Sequence, residues 1–313
     1  MIPLKVTHMT TLVFGHKSPD TDSTGSPLIW EWFLNHTGIE AKAVLLGEPN
    51  TEAKFVAKRW GFDLPEIIND VEDDQSCVIV DTNNPAELPA NINNADVLAI
   101  IDHHLLVGGL ETKKPINITI RPLACTATIM HQMMGDHAGH MPEGIKGLML
   151  SCILSDTLAF RSPTTTEVDK DVAEKLAKDL GIDIEAYAGE MFEAKSDVSA
   201  FSDAELLRMD SKEYEVDGKK FRVSVLETTA PQIVLDRKAS LMKTMPKVAK
   251  EDKVDEVLLF VVDIINEEAT MLIPNDVVKS IAEKSFDTTV EGDSVVLPGV
   301  MSRKKQIIPT LKV

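Results

Sequence analysis

Residues 10–23 read TTLVFGHKSPDTDS, an apolar run that ends at Gly15 and gives way at once to polar and acidic residues. Helix-like segments follow around Leu28–Asn35 and Thr51–Trp60. Three further runs are short and mainly apolar, like the first: Ala41–Leu46, Cys77–Val80 and Val97–Ile101. Near-continuous apolar strands that alternate with helices are typical of a parallel sheet covered on both faces. We therefore predict an α/β fold whose N-terminal domain has a mostly parallel sheet covered by helices.

One later helix has both a start and a stop signal in the sequence. Thr166 can cap its beginning, and Gly181 follows its last apolar residue. Between them, apolar side chains recur at i, i+4 and i+8: Val172, Leu176 and Leu180. This spacing places the three on one face, so a helix is predicted between the two signals.

The second part of the chain has a different pattern. With 313 residues, two domains are expected, and the small, polar stretch Ala194–Asp203 (AKSDVSAFSD) indicates a linker. Asp217-Gly218 is a hairpin turn signal between Glu213–Val216 and Phe221–Leu226. A helical stretch follows at Pro231–Lys250. A second hairpin is then formed by Val254–Ile265 and Ala269–Ile273, which are joined through Asn266-Glu267. We predict domains at residues 1–195 and 203–313, a hinge linker at 196–202, and a mixed sheet in the smaller C-terminal α/β domain.

The formal net charge of −18 restricts the partners of this chain. An acidic surface repels nucleic acid and anionic membranes, so neither is expected as a partner. No apolar run approaches the ~20 residues that span a bilayer, and MIPLKVTHMT lacks the pattern of a signal peptide. Cys77, Cys125 and Cys152 lie in apolar or small-residue stretches without a CxxC spacing, which favours buried thiols in a reducing compartment. A cytoplasmic location is expected.

Acidic and histidine residues follow the ends of the apolar segments. They are His16, Asp20 and Asp22 after the first run, Asp81 after the third, Asp102, His103 and His104 after the fourth, and Asp156 within GLMLSCILSDTL. A single aspartate at a strand end is most often a cap or turn residue. Several such groups at the carboxyl edge of one parallel sheet, however, are costly to bury unless a cation compensates them. The pattern therefore predicts a metal site at this edge.

The donor types restrict the metal. Carboxylates and imidazoles without a thiolate disfavour a structural zinc site and favour manganese, magnesium or similar hard ions. Six side chains are too many for one ion that keeps an open position for substrate, but they suit two ions that share a bridging carboxylate: His16, Asp20, Asp22, Asp81, His103 and Asp156. Paired ions about 3.5–4 Å apart serve in the hydrolysis of phosphoanhydrides and phosphodiesters.

The motifs GHKSPDTDS, VIVDTNN, IDHHLL and LSDTLAF resemble those of the DHH phosphoesterase superfamily. Within it, SRKKQIIP at Ser302–Pro309 resembles the family II, manganese-dependent inorganic pyrophosphatases, and the likeness covers essentially the whole chain. The strings PDTDS, CTATI, GLMLS and SRKKQ are individually specific to it. No long insertion separates Asp102 from Asp156, so the chain resembles the short, unregulated members.

The resemblance implies a role for each candidate residue. One ion would be held by His16, Asp20 and Asp81, and the other by Asp22, Asp81, His103 and Asp156, so that Asp81 bridges them. Asp102 would orient its neighbours from outside the ligand set. The catalytic, substrate-binding residues would be His104, Lys212, Arg303 and Lys304. The implied cofactor is two Mn²⁺ per subunit, with Co²⁺ or Mg²⁺ as substitutes and further Mg²⁺ or Mn²⁺ able to arrive with the substrate.

The implied reaction is hydrolysis of pyrophosphate to two orthophosphates by a hydroxide that the two ions activate, with the active site between the two domains. Charge supports this independently, because two divalent ions and four carboxylates cancel, and a pyrophosphate needs further cations. The dense basic cluster Arg303-Lys304-Lys305 can supply them, since arginine grips phosphate bidentately and lysine acts as a point charge. The resemblance further implies a homodimer formed through the N-terminal domain.

Two alternatives stay open. A DHH phosphoesterase for short oligonucleotides or 3′-phosphoadenosine phosphate would need aromatic residues for base stacking, and few are present in the second half. A metal- or phosphate-sensing binding protein would not need an open metal position together with phosphate-binding cations.

Overall fold

The structure is a computed structural model that describes residues 10–313. These residues form two compact units. The first comprises the chain through Ala159 and the segment Thr165–Ala188, and the second comprises Phe160–Thr164 and Gly189–Val313. The chain therefore passes from one unit to the other at 159/160, 164/165 and 188/189. The predicted hinge at 196–202 lies within the second unit, and its role as a hinge stays a prediction.

The first unit contains a five-stranded sheet in which every pair of neighbours is parallel. Its strands, in the order β2-β1-β3-β4-β5, are β1 (Thr11–Phe14), β2 (Ala41–Ala43), β3 (Ser76–Val80), β4 (Asp96–Asp102) and β5 (Asn117–Ile120). The predicted parallel sheet is confirmed. The edge strand β5 was not predicted, because its four residues (NITI) are half exposed and carry no buried apolar run.

Helices accompany this sheet along the chain. They are α1 (Thr21–His36), α2 (Thr51–Arg59), α3 (Thr126–Met134), α4 (Glu143–Asp156) and α5 (Glu167–Leu180), and α6 (Ile184–Ser196) crosses into the second unit. The predicted capping of α5 is confirmed, since Thr166 and Asp169 form a reciprocal capping box and Gly181 ends the helix with φ 65°. Gly25 allows α1 to approach α4 closely, because a Cβ at that position would lie 2.5 Å from Cys152 Sγ.

The second unit has a mixed five-stranded sheet, as predicted. Its order is β10-β9-β8-β7-β6, formed by β6 (Ser211–Val216), β7 (Lys219–Thr228), β8 (Glu256–Asp263), β9 (Glu268–Leu272) and β10 (Ser294–Pro298). Strands β7 and β8 are parallel, and the other neighbours are antiparallel. Asp217 and Gly218 both have positive φ, 51° and 75°, as the predicted two-residue hairpin turn requires.

The helices of the second unit were predicted only in part. They are α7 (Asp203–Met209), α8 (Pro231–Leu235), α9 (Lys238–Asp252) and α10 (Asp276–Phe286), followed by a π-helical turn at Arg303–Ile307. The helical stretch predicted at Pro231–Lys250 consists of two helices, interrupted at Asp236 and Arg237, and α7 and α10 were not predicted.

No helix in the described part of the chain has the length and apolar character needed to cross a bilayer. The expected cytoplasmic location stays a prediction.

Candidate metal centre

Seven of the predicted site residues come together in the first unit. The carboxylate–histidine cluster consists of His16, Asp20, Asp22, Asp81, His103, His104 and Asp156. They follow β1, β3 and β4, except that Asp22 lies in the first turn of α1 and Asp156 is the last residue of α4. The carboxyl ends of parallel strands share one edge of the sheet, so residues far apart in sequence meet there.

The β1–α1 connection is fixed by backbone contacts. His16 donates its backbone N–H to Ser23 Oγ at 2.8 Å, and Ser23 in turn donates its backbone N–H to Asp20 Oδ1 at 2.9 Å. Asp20 therefore caps α1 through one oxygen, and its other oxygen, Oδ2, lies 3.7 Å from His16 Nε2. Gly15 is required beside them, because a Cβ would come within 2.0 Å of Ser23 Oγ.

Asp81 occupies the middle of the carboxylate–histidine cluster. Its Oδ2 lies 3.5 Å from His16 Nε2, and its Oδ1 lies 3.2 Å from His103 Nε2. Its backbone is left-handed, with φ 57°, and its N–H donates to Ile101 O. The two oxygens of one buried carboxylate thus face different imidazoles, which is the arrangement that a bridging ligand needs.

The remaining donors of the cluster are held from several directions. Asp22 accepts hydrogen bonds from Ser26 Oγ at 2.6 Å and from the Thr126 backbone N–H at 2.7 Å. His103 Nδ1 lies 3.2 Å from Leu123 O, so this nitrogen donates to the carbonyl oxygen and Nε2 faces the carboxylates of the cluster. Nε2 of His103 lies 3.9 Å from Asp156 Oδ2.

Asp102 supports the histidines from behind. Its Oδ1 accepts from the backbone N–H of His103 at 2.7 Å and of His104 at 3.0 Å, and it pairs with His104 Nδ1 at 2.8 Å. Its Oδ2 accepts from Asn83 Nδ2 at 2.5 Å. Burial alone would raise the pKa of Asp102, but the hydrogen bond and charge of His104 outweigh it and hold that pKa well below the usual range. Asp102 is thus a fixed negative charge that orients His104.

The electrostatics of the cluster fit divalent cations. Burial raises the pKa of Asp156 well above its usual value, and the charges of Asp22, Asp20 and Asp81 raise it further. Four carboxylates crowded in this way repel each other unless cations neutralise them. Ligand atoms of an ion with bonds near 2.2 Å lie about 3–4.5 Å apart, and the donor pairs given above lie 3.2–3.9 Å apart. Oxygen and imidazole donors without a thiolate suit manganese. The residues present therefore fit the predicted ions.

Sequence reasoning missed three residues that support the cluster or the residues next to it. Thr126 contacts Asp22 through its backbone and Asp81 through its hydroxyl, at 3.1 Å. Asn83 holds Asp102, and the buried Glu52 accepts from Thr21 Oγ1 at 2.5 Å and from Ser155 Oγ. Thr126 and Asn83 lie in the quoted strings CTATI and VIVDTNN, but neither string indicates which residue they contact.

The other predicted site residues, Lys212, Arg303 and Lys304, belong to the second unit. Arg303 Nη1 lies 2.8 Å from Asp210 Oδ1 and donates to Asp210 O at 2.9 Å. Burial would lower the pKa of Arg303, but Asp210 outweighs it and keeps that pKa above its usual value. Lys212 follows Asp210 by two residues on β6, so this contact places the SRKKQ turn beside the start of that strand. Within the turn, Gln306 Oε1 accepts from the backbone N–H groups of Met301 and Ser302, both at 2.9 Å.

Comparison with known proteins agrees with this two-unit organisation. Residues 10–155 match the N-terminal domain of the DHH family, and residues 189–313 match the DHHA2 domain. A Deinococcus radiodurans protein named "Probable manganese-dependent inorganic pyrophosphatase" is 38% identical over 305 residues, covering 96% of this chain and 97% of the relative. A protein of the same name from Lactobacillus acidophilus is 36% identical over 301 residues, covering 96% of both chains. The crystal structure of a candidate family II inorganic pyrophosphatase from Methanococcus jannaschii superposes with a TM-score of 0.84 at 34% identity, covering 96% of this chain and 97% of that one. The chain therefore belongs to the family of the manganese-dependent inorganic pyrophosphatases.

Proposed function

We propose that this protein hydrolyses inorganic pyrophosphate to two orthophosphates at the carboxylate–histidine cluster of its first unit. The observation that supports this best is the position of Asp81, whose two oxygens lie 3.5 Å from His16 Nε2 and 3.2 Å from His103 Nε2. Relatives at 36–38% identity over almost their whole length carry the name of this activity.

The ligands divide into two sets that share Asp81. His16, Asp20 and Asp81 would hold one Mn²⁺, and Asp22, Asp81, His103 and Asp156 would hold the other. Two divalent ions held by these residues would supply a nucleophilic water and neutralise charge on the attacked phosphate. Thr126 and Ser26 fix Asp22, and Leu123 O fixes the tautomer of His103, so the chain holds the donors in place before any ion arrives.

His104 is proposed to contact the substrate. Its Nδ1 lies 2.8 Å from Asp102 Oδ1, which fixes the orientation of the imidazole ring at the edge of the cluster. The Asp102 carboxylate stabilises a proton on His104, so that this side chain can stabilise negative charge that develops on the phosphate in the transition state.

Lys212, Arg303 and Lys304 are proposed to bind the pyrophosphate as cations. Arg303 carries a fixed charge, and its contact with Asp210 positions the turn that also presents Lys304. In a protein of net charge −18, a polyanion needs such a local group of cations to bind.

The resemblance to the family II inorganic pyrophosphatases also supports a homodimer formed through the first unit. The edge strand β5 exposes Ile118 by 55%, and Leu105 and Leu106 are exposed by more than 70%. Among residues 10–313, β5 has a strand neighbour on one side only, and a strand edge with exposed apolar side chains is a surface that a second copy could cover. Sedimentation or light scattering that finds only monomers at micromolar concentration would refute this.

The test of function is phosphate release from pyrophosphate by protein that has been stripped of metal and then supplied with Mn²⁺. We expect turnover with Mn²⁺ and little with the stripped protein. Release of mononucleotides from short oligonucleotides, or of phosphate from 3′-phosphoadenosine phosphate, with no activity on pyrophosphate, would favour the alternative DHH phosphoesterase. Tight metal binding without any turnover would favour a sensing protein.

Lys304→Ala tests whether the second unit contributes to the reaction. It should lower turnover on the order of 10²-fold or more, since it removes a cation from the transferring or leaving phosphate. Lys284→Ala is the matched control, because Lys284 is an exposed lysine of the same unit that lies in the last turn of α10 and has no proposed role at the site. Equal activity in both variants would remove the proposed role of Lys304.

A further inference from the structure

A second group of histidines lies on the surface of the first unit, outside the carboxylate–histidine cluster. The surface histidine cluster consists of His36, His137 and His140, all exposed, with a ring nitrogen of each within 4.8 Å of the others. His36 is the last residue of α1, and the other two lie in the 3₁₀ helix Gly135–His140. These residues have no part in the reaction proposed above.

Local structure explains why the three rings converge. In a 3₁₀ helix, side chains at i and i+3 eclipse each other, so His137 and His140 point the same way. Trp32, one turn before His36, stacks on it with ring centroids 5.1 Å apart and planes 15° apart. Phe33 contacts the His137 ring edge-on at 5.9 Å. The aromatic neighbours therefore restrict the orientations of two of the three imidazoles.

The ring geometry is close to that of three imidazoles on one ion. The ring centroids of His36 lie 5.5 Å from those of His137 and His140, and the last two lie 6.2 Å apart. The planes are inclined at 80°, 46° and 71°, so the rings are not stacked on one another. Three imidazoles bound to a tetrahedral ion through bonds of 2.0–2.1 Å have centroids about 5 Å apart. Closing by about 1 Å or less would complete the set, and all three side chains are exposed.

Helix α1 also favours a cation at this place. His36 lies in its last turn, where the backbone carbonyls of the helix end carry partial negative charge. An all-imidazole donor set binds Zn²⁺, Ni²⁺ and Cu²⁺ better than Mn²⁺ or Mg²⁺, which prefer oxygen. We propose that His36, His137 and His140 form a surface site for a divalent transition ion of the zinc, nickel and copper class. The site is separate from the manganese-binding cluster and joins the end of α1 to the 3₁₀ helix.

Zinc uptake by chains that differ only in these histidines tests the proposal. Zn²⁺ can also enter the carboxylate–histidine cluster, so the test compares the number of zinc equivalents bound by wild type and by each variant. Competition with a chromophoric zinc indicator measures this number. Wild type should bind one ion more per chain than His137→Gln/His140→Gln, and one more than His36→Gln, which removes the ligand from the other element. His131→Gln is the matched control, because His131 lies on neighbouring α3 outside both clusters, and it should bind as wild type does.

The result that would overturn the proposal is the same number of zinc equivalents in all four proteins. Circular dichroism and phosphate release with Mn²⁺ should be unchanged in the glutamine variants, since none of these residues contacts the carboxylate–histidine cluster. The zinc count does not depend on turnover. Failure of the pyrophosphatase proposal would therefore leave this test intact.

Discussion

Asp81 is the residue on which the proposed centre depends most. Asp81→Asn keeps the shape of the side chain and tolerates the left-handed backbone, so the fold should be retained. It removes one negative charge and replaces one carboxylate oxygen by an amide nitrogen, which has no available lone pair for a cation. Binding of both ions should weaken, and turnover should fall by several orders of magnitude. Calorimetric titration with Mn²⁺ and a phosphate-release assay measure the two effects, and two tightly bound ions with near-normal turnover would contradict the bridging role.

Asn83 offers a test of the support behind the ligands. Its amide donates to Asp102 Oδ2 at 2.5 Å and to Leu105 O at 2.9 Å, and Val107 N–H donates to its Oδ1. Asn83→Ala should loosen Asp102 and cost on the order of 10–100-fold in turnover. The neighbouring Asn84 only caps a short 3₁₀ helix through Ala86 N–H, so Asn84→Ala serves as control. Equal turnover in the two variants would show that Asp102 needs no such support.

The positions of the proposed ligands could be predicted from sequence, but their supports could not. His16, Asp81 and His103 each follow an apolar strand, and parallel strands bring their carboxyl ends to one edge. The contact of Thr126 with Asp22 spans 104 residues and depends on how α3 begins beside α1. Nothing in the local pattern of CTATI indicates that Thr126 contacts Asp22. The ligand roles themselves stay predictions.

Helix α4 packs on Trp60 so closely that one position in it must be glycine. A Cβ at Gly147 would lie 2.0 Å from the indole ring, whose Nε1 donates to Ser151 Oγ at 3.1 Å and to Tyr187 OH at 2.8 Å. Gly147→Ala should displace the ring and destabilise the protein by about 1–3 kcal/mol. Gly189→Ala, in α6 with nothing within 4 Å of the new Cβ, should instead raise stability by about 0.5–1 kcal/mol. Thermal unfolding of the two variants checks both signs, and a similar shift in both would contradict the packing argument.

Among the elements, the strands with near-continuous apolar runs and the helix with clear start and stop signals were predicted. Strands β1 to β4 and helix α5 follow from their patterns. Helix α1 begins at Thr21, well before the predicted Leu28–Asn35. The prediction missed the first residues (TDSTGSP) because they are poor helix formers. Burial of that whole segment, and capping by Asp20, outweigh the local preference. Propensity alone could not reveal this.

At the scale of the molecule, metal binding and folding of the first unit should be coupled. The proposed ligands extend from His16 to Asp156, so an unfolded chain cannot gather them around an ion. An ion that binds only the folded state stabilises it by about 2.7 kcal/mol when present at 100 times its dissociation constant. Chelation should therefore lower the unfolding temperature of the first unit. All three tryptophans, Trp30, Trp32 and Trp60, belong to this unit, so their fluorescence reports on it alone.

The unfolding temperature read from tryptophan should rise steadily with free Mn²⁺ in wild type. The dependence should be much weaker in Asp81→Asn, which supplies the control. A midpoint that does not change between chelator and excess Mn²⁺ would contradict the coupling.

The short segment Phe160–Thr164 belongs to the second unit although its neighbours in sequence belong to the first. A recombinant fragment that begins at Gly189 would omit it, and with it Pro163 O, which accepts a hydrogen bond from Lys305 in the SRKKQ turn. A synthetic peptide spanning these five residues could restore that acceptor only at the entropic cost of capturing a separate molecule. Dissection of this protein into independently expressed halves should therefore leave the C-terminal fragment with a less ordered phosphate-binding turn than the intact chain has.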